Sequence, residues 1–271
     1  MRLSVITITY NNLSGLQKTA RSVAVQTYRD MEWIVVDGGS TDGTQEWLQG
    51  MKEESRGDSF RNFNSSNLQI LSEPDNGVYD AQNKGIRLAK GEFCFFLNAG
   101  DSFCRADVLE RMMAMPLDAD IVYGNEVVVD AEGKRVGYCK GVENPGFVDL
   151  YNSCMKHQAT FIRRALFEKY GEYDSSLRIC ADWEWFFRVI GFHDEVRLCY
   201  RDVDVAWFEN TGLSYHNPAL CARERKQVLD RMMPARLQRD YETIARYPGL
   251  TKVRGERVVK MLLRIANRLM K

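Results

Sequence analysis

Apolar residues in the first hundred positions fall into short, β-branched runs, separated by longer stretches in which apolar positions recur with a helical period. Leu3–Thr9 and residues 33–37 are runs of the first kind, and each ends in turn residues followed by a helical pattern, at 13–25 and 43–52. A strand covered on both faces by helices carries a continuous apolar run, whereas a half-exposed strand alternates, so these runs point to a parallel sheet. Residues 68–71 predict a third strand, 78–89 a helix closed by Gly91, and 93–97 a fourth strand. Strand and helix alternating in this way is the signature of βαβ units, and the expected fold class is α/β, a mostly parallel central sheet flanked by helices.

Beyond residue 100 the pattern changes. A helix near 107–113 leads into a strand at Ile121–Val129, a turn at 130–134 and a hairpin partner at 135–140. A strand at 158–162, a helix at 181–190 and an extended run at 203–208 follow, and the polar stretch 57–67 reads as a loop. Residues 1–215 are taken as one α/β domain and 216–271 as a helical C-terminal extension.

Composition narrows the class. At 45% hydrophobic and 27% charged residues the chain can bury a sizeable core. Its seven cysteines, at 94, 104, 139, 154, 180, 199 and 221, form no CxxC pair, which argues against a zinc site or disulfide framework and fits a reducing, cytoplasmic compartment. Ser4, Thr7 and Thr9 interrupt the first apolar stretch, so it reads as a strand and not a signal peptide. No window approaches the roughly 18 consecutive apolar residues of a membrane span.

Net charge is zero, yet residues 246–271 hold eight basic side chains and one acidic, a local +7 set against an acidic body. That is not the profile of a nucleic-acid binder. Arg257, Lys260, Arg264, Arg268 and Lys271 recur at helical steps opposite Val258, Leu262, Ile265 and Leu269. Such a helix suits peripheral contact with an anionic membrane through residues 252–271, at the inner face of the cytoplasmic membrane. Packing on the body or on a partner subunit is the competing role.

Open parallel sheets bind ligands beyond the carboxyl ends of their strands. Here those ends are polar: Thr9-Tyr10-Asn11-Asn12, Asp37-Gly38-Gly39-Ser40 and Asn98-Ala99-Gly100-Asp101. The glycines after Asp37 lack the G-x-G-x-x-G spacing of a dinucleotide fingerprint and follow the second strand, which excludes a Rossmann dehydrogenase. Asp37 at a strand end can accept from a base or ribose, or cap its own turn. Asp80, Asn83 and Lys84 share one helix face, which suits either a ligand or solvent.

At this point the motifs TITYNN, EWIVVDGGSTDGT, SEPDNGVYDAQNKGI, GEFCFFLNAGD, KHQATF and ADWEWFFR, in that order, resemble family 2 glycosyltransferases over roughly residues 3–190. The likeness is greatest to bacterial enzymes of capsule, exopolysaccharide or O-antigen assembly, including the colanic-acid type. It implies a GT-A fold, a nucleotide-diphospho-sugar donor, a divalent cation (Mn²⁺ or Mg²⁺) and an acceptor that is a lipid-linked saccharide. It implies donor contacts from Thr9, Tyr10, Asn11, Asp37, Gly38, Asp75, Asp80, Asn83, Lys84, Asn98 and His157, a metal ligand in Asp101, and a catalytic base in Asp182 for inverting transfer. The family commonly has a run of aspartates where this chain has Asn98 and Gly100, leaving Asp101 as the carboxylate of that motif, and an acidic residue where this chain has Ala181.

Structural roles stay open for several of these residues: helix caps for Asp101 and Asp182, a packing role for His157, core positions for Trp183 and Trp185. Two other functions compete. A sugar nucleotidyltransferase would need a glycine- and basic-rich loop after the first strand, which TYNNLSGL does not supply. A nucleotide-sugar-binding protein without turnover is consistent with Asn98 and Gly100.

Overall fold

The structure is a computed structural model that describes residues 1–53, 66–114, 118–152, 155–210 and 212–246. The basic stripe from 257 onward, Cys154 and most of the polar stretch 57–67 lie outside the described residues. In chain order the first half comprises β1 (Leu3–Thr9), α1 (Leu13–Ala24), β2 (Met31–Asp37), α2 (Thr44–Glu53), β3 (Leu68–Ser72), α3 (Val78–Leu88) and β4 (Phe93–Phe96). The second half comprises β5 (Ser102–Phe103), α4 (Val108–Met113), β6 (Ile121–Val129), β7 (Arg135–Cys139), α5 (Phe147–Asn152), β8 (Thr160–Arg163) and α6 (Arg164–Tyr170). It continues with α7 (Ala181–Gly191), β9 (Leu198–Glu209), α8 (Leu213–His216), α9 (Pro218–Met232) and α10 (Ala235–Arg246).

The strands form one sheet in the order β3-β2-β1-β4-β8-β6-β9-β5, with β7 also paired to β6. β3, β2, β1 and β4 are mutually parallel, as the alternation of elements implies. The second half departs from that pattern: β8 enters antiparallel between β4 and β6, and β5 and β7 are antiparallel additions. β6 and β9 pair in parallel although far apart in sequence. Elements α5, α6 and β5, six, seven and two residues long, were not visible in the hydrophobic pattern because such short pieces carry too few turns or alternations.

Every residue of β1 and β2 is buried. Their side chains alternate between two cores, one on each face of the sheet. Ile6, Ile8, Ile34 and Val36 pack with Phe96, Tyr79 and the aromatic residues of α7. Leu3, Val5, Trp33 and Val35 pack with Phe95, Leu16 and the α4 residues Val108 and Leu109. Continuous burial with period-two partitioning is what a sheet sandwiched between helical layers requires.

One knot of buried polar groups ties the amino ends of the strands together. At the amino ends, Glu32 is 1% exposed. It accepts from Ser4 Oγ at 2.6 Å, Lys90 N–H at 2.6 Å and Gln69 Nε2 at 2.7 Å, joining β1, β2, β3 and the entry to β4. Gly91 closes the same knot, and any Cβ there would lie 2.6 Å from Ser4 N. With the amino ends tied down in this way, the opposite ends of β1, β2 and β4 open together on one side of the molecule.

Candidate active site

Each parallel strand ends in a loop that is braced to its neighbours. Asn12 caps α1 by accepting from Gly15 N–H and donates from Nδ2 to Ala99 O at 3.1 Å, tying the β1 loop to the β4 loop. Asn11, at φ 48°, accepts from Thr41 N–H, and its own N–H donates to Ser40 Oγ. Thr19, fully buried on α1, accepts from Gly100 N–H, and its hydroxyl lies 2.7 Å from Asp101 O. Gly100 sits at φ 109°, a conformation that a side chain would strain. Thr19 thus shapes the segment 98–101, a role that its place in an amphipathic helix concealed.

Between these loops and α7 lies a cleft of about 640 Å³. Thr9, Tyr10, Asp75, Asn98, His157 and Asp182 all line it. At its centre Asp182, the second residue of α7, accepts from His157 Nδ1 at 3.0 Å and from the Tyr79 hydroxyl at 2.9 Å. His157 Nε2 faces Asn98 Nδ2 at 3.4 Å. The imidazole donates from Nδ1 to the carboxylate, and its other nitrogen is turned toward the amide. Burial pushes the Asp182 carboxyl up, but the His157 hydrogen bond and charge, with Tyr79 and the Trp183 N–H, outweigh it and hold the group below the usual carboxylate range. An ionised, largely buried carboxylate facing a cleft is the requirement for a general base that takes a proton from a hydroxyl.

Other expected residues stand behind the wall. Asp37 has no exposed surface; Ser40 N–H, Ser40 Oγ and Ser72 Oγ donate to it, so its carboxylate organises the β2 loop. Gly38 does have a close approach to make: a Cβ there would meet Asp75 Oδ2 at 2.4 Å. Asp80, Asn83 and Lys84 do not act as one face. Asn83 is turned inward and exchanges two hydrogen bonds with the Tyr173 backbone. Asp80 accepts from Asn76 N–H, and Lys84 donates to Pro74 O and pairs with Glu73 at 2.9 Å, so both brace the loop at 73–77. Trp185 is core, whereas Trp183 lines the cleft. Glu184 points away to Arg188.

Asp101 is 4% exposed and accepts from Glu209 N–H at 3.2 Å. It precedes β5 and not a helix, which removes the helix-cap role. Burial drives its carboxyl up to about 7, partly offset by the Glu209 N–H and His157. Asp101 stands behind the cleft lining and forms no ion pair among the described residues; its carboxylate and the Asn98 amide oxygen, which accepts from Gln82 Nε2 at 3.3 Å, are hard oxygen donors of the kind that Mg²⁺ or Mn²⁺ takes. Among the described residues no three His, Cys, Asp or Glu side chains form a ready cage. That set fits a cation whose shell is completed by substrate phosphate and water.

Two further contributions escaped the sequence pattern. Glu126 on β6 lines the cleft, 2% exposed, with its carboxyl raised by burial against the pull of Lys156 and His157. The second comes from α9, inside the segment assigned to the C-terminal extension. Glu224 accepts from the N–H groups of Arg178, Ile179 and Cys180 at 2.7, 2.9 and 3.0 Å, and Cys221 and Arg225 line the cleft. The α7 N-terminus has no side-chain cap from its own residues, so Glu224 supplies one from α9. A lone Glu in a polar helix carries no sequence signal for such a task.

The family model described as "Glycosyl transferase family 2" matches residues 4–188. A "PGL/p-HBAD biosynthesis glycosyltransferase" of Mycobacterium tuberculosis is 35% identical over 214 residues, which is 78% of this chain and 78% of that protein. Among solved structures, Staphylococcus aureus TarS 1-349 superposes with a TM-score of 0.58 at 19% identity, over 78% of this chain and 61% of that longer one. The mannosyltransferase PcManGT from Pyrobaculum calidifontis, in complex with GDP-Man and Mn²⁺, gives a TM-score of 0.58 at 18% identity, over 100% of this chain and 81% of its own. These two likenesses are of fold, and the fold is GT-A, as the ordered motifs imply.

The two aspartates have opposite pH signatures. Asp182, with a depressed pKa, contributes stability above the ordinary carboxylate range that is lost as pH falls through its folded value. Asp101, raised to about 7, costs stability progressively as pH climbs from its ordinary value near 3.8 toward 7. Asp101→Asn is therefore expected to exceed the wild type in metal-free stability at pH 8 by about 2–4 kcal/mol, and to match it near pH 4. Urea titrations at the two pH values measure this; an equal difference at both would refute the assignment.

Proposed function

The chain belongs to glycosyl transferase family 2, and on that footing we propose that it is an inverting transferase that moves a sugar from a nucleotide-diphosphate donor to an acceptor hydroxyl. The observation that carries this reading is the run Tyr79–Asp182–His157–Asn98 inside one cleft at the carboxyl ends of β1 and β4.

Asp182 is the base. Its ionised carboxylate takes the acceptor proton as the hydroxyl attacks the anomeric carbon opposite the leaving diphosphate. His157 fixes the orientation of the carboxylate, and Tyr79 holds its other oxygen, so the acceptor finds a pre-set lone pair. The nucleotide end of the donor lies along Thr9, Tyr10 and Asp75, with Asn11, Asp37, Gly38, Asp80, Asn83 and Lys84 shaping the loops behind them. Tyr10 is 65% exposed at the mouth of the cleft, an aromatic face free to stack on a base. Asp101, with the Asn98 amide oxygen, would hold a divalent cation. When bound, the cation neutralises charge on the departing diphosphate.

The acceptor in this reading is a lipid-linked saccharide of bacterial surface-polysaccharide assembly, met at the inner face of the cytoplasmic membrane. The motif resemblance and the basic stripe at 252–271 support it. Among the described residues no helix is long and apolar enough to cross a membrane. Each basic residue near an anionic surface adds about 1 kcal/mol, enough in sum for peripheral attachment.

Release of nucleoside diphosphate from a panel of nucleotide sugars tests the chemistry. Asp182→Asn is expected to lower turnover by about a hundred- to ten-thousand-fold while the protein still binds the donor, and NMR of the product should show an inverted anomeric centre. Wild-type turnover in that variant, or a retained anomer, sinks the mechanism. Mn²⁺ is expected to raise the melting temperature of the wild type at pH 8 and not that of Asp101→Asn, by thermal shift; equal shifts would remove Asp101 from the metal site. In vesicle flotation the full chain should bind anionic vesicles and a chain ending at residue 250 should not, and equal binding would exclude the tail as the anchor.

A further inference from the structure

The cleft wall near Asp182 carries two arginines that form no ion pair among the described residues. Arg178 precedes α7, and Arg225 projects from α9; both line the cleft. Neither has a carboxylate within ion-pair distance among the described residues. Glu224, the neighbour of Arg225 in sequence, is already committed: both of its oxygens are taken by the N–H groups at 178, 179 and 180. The same three bonds draw α9 against the start of α7 and so bring the two arginines to one rim.

Arg225 is also set in place before any ligand arrives. Its guanidinium lies 4.1 Å over the Trp183 ring, and Nη2 donates to Tyr151 O. A guanidinium has five N–H donors, and only this one contact to a carbonyl is made among the described residues. Stacking leaves the fork geometry intact for a planar or tetrahedral oxyanion. Asp182 is joined through His157 to Asn98, toward the proposed donor site, whereas neither arginine bonds any member of that run among the described residues, and Arg225 packs on Trp183, the next residue of α7.

We propose that Arg178 and Arg225 form an oxyanion-binding subsite for the acceptor: the saccharide that presents its hydroxyl to Asp182 carries a phosphate or carboxylate held by this pair, with the Trp183 ring as the platform that sets the Arg225 guanidinium. The proposal rests on the transferase reading of the cleft, since that reading makes this part of the cleft the acceptor side. It sets the acceptor class as anionic, and makes the two arginines specificity determinants that leave the donor untouched.

The test uses the full chain and two probes in isothermal titration: a nucleoside diphosphate (UDP, GDP or dTDP, whichever binds) and phenyl phosphate added at saturating nucleotide. Phenyl phosphate should bind the wild type, and Arg178→Gln and Arg225→Gln should each weaken it about tenfold while nucleotide affinity stays within about twofold. Arg178 is exposed and makes no side-chain bond among the described residues, so its variant keeps the test free of folding effects. Three results overturn the subsite: no phenyl phosphate binding to the nucleotide-loaded wild type, unchanged binding in both variants, or a parallel tenfold loss of nucleotide, which would assign the arginines to the donor diphosphate. If no nucleoside diphosphate binds the wild type, the donor reading fails by itself. Phenyl phosphate titrated alone against the two variants then decides the anion subsite separately.

Discussion

A carboxylate kept ionised against its own burial is the constraint around which the cleft is organised. Asp182 gains nothing from the low-dielectric interior, and the cost is offset by three donors from three elements: His157 in the turn before β8, Tyr79 on α3 and the Trp183 N–H of α7 itself. The donors must converge on one side chain to within hydrogen-bond distance, so the relative placement of α3, α7 and the β8 entry is fixed by chemistry as well as by packing. Tyr79 shows how tight this is, because its hydroxyl also lies 2.5 Å from Ile179 O, in the segment that Glu224 holds.

The buried carboxylates of this protein divide by how they are satisfied. Glu32, Asp37 and Glu224 each accept at least three hydrogen bonds, from backbone or neighbouring side chains, and their work is to hold strand ends and a helix start in register. Asp101 and Glu126 are buried with fewer partners, and burial raises both. Carboxylates of the first kind stabilise the scaffold, while those of the second carry a desolvation cost that a ligand or cation can relieve.

α9 shows why an extension and a domain are hard to tell apart from sequence. Its polar composition and distance from the strand-helix alternation mark it as an appendage, yet Val228 is fully buried, Glu224 caps α7, and Arg225 lies on Trp183. The cleft is thus assembled from segments more than two hundred residues apart, from Tyr10 to Arg225.

Hydrophobic periodicity by itself determined the parallel half of the sheet, the order of β1 to β4 with their helices, and the strand ends where polar residues collect, because burial on both faces leaves a local, readable trace in composition. The ordered motifs also marked Asp182, His157 and Asn98. Only the tertiary structure decided that these three join in one hydrogen-bonded run, that Asn83 turns inward to Tyr173, that Asp37 faces its own loop, and that Glu126 and Arg225 belong to the cleft. The direction of a polar side chain and its partners depend on contacts between elements far apart in the chain. Such contacts impose no period on the residues around them, so the sequence carries the residue types while the packing of sheet against helices assigns their work.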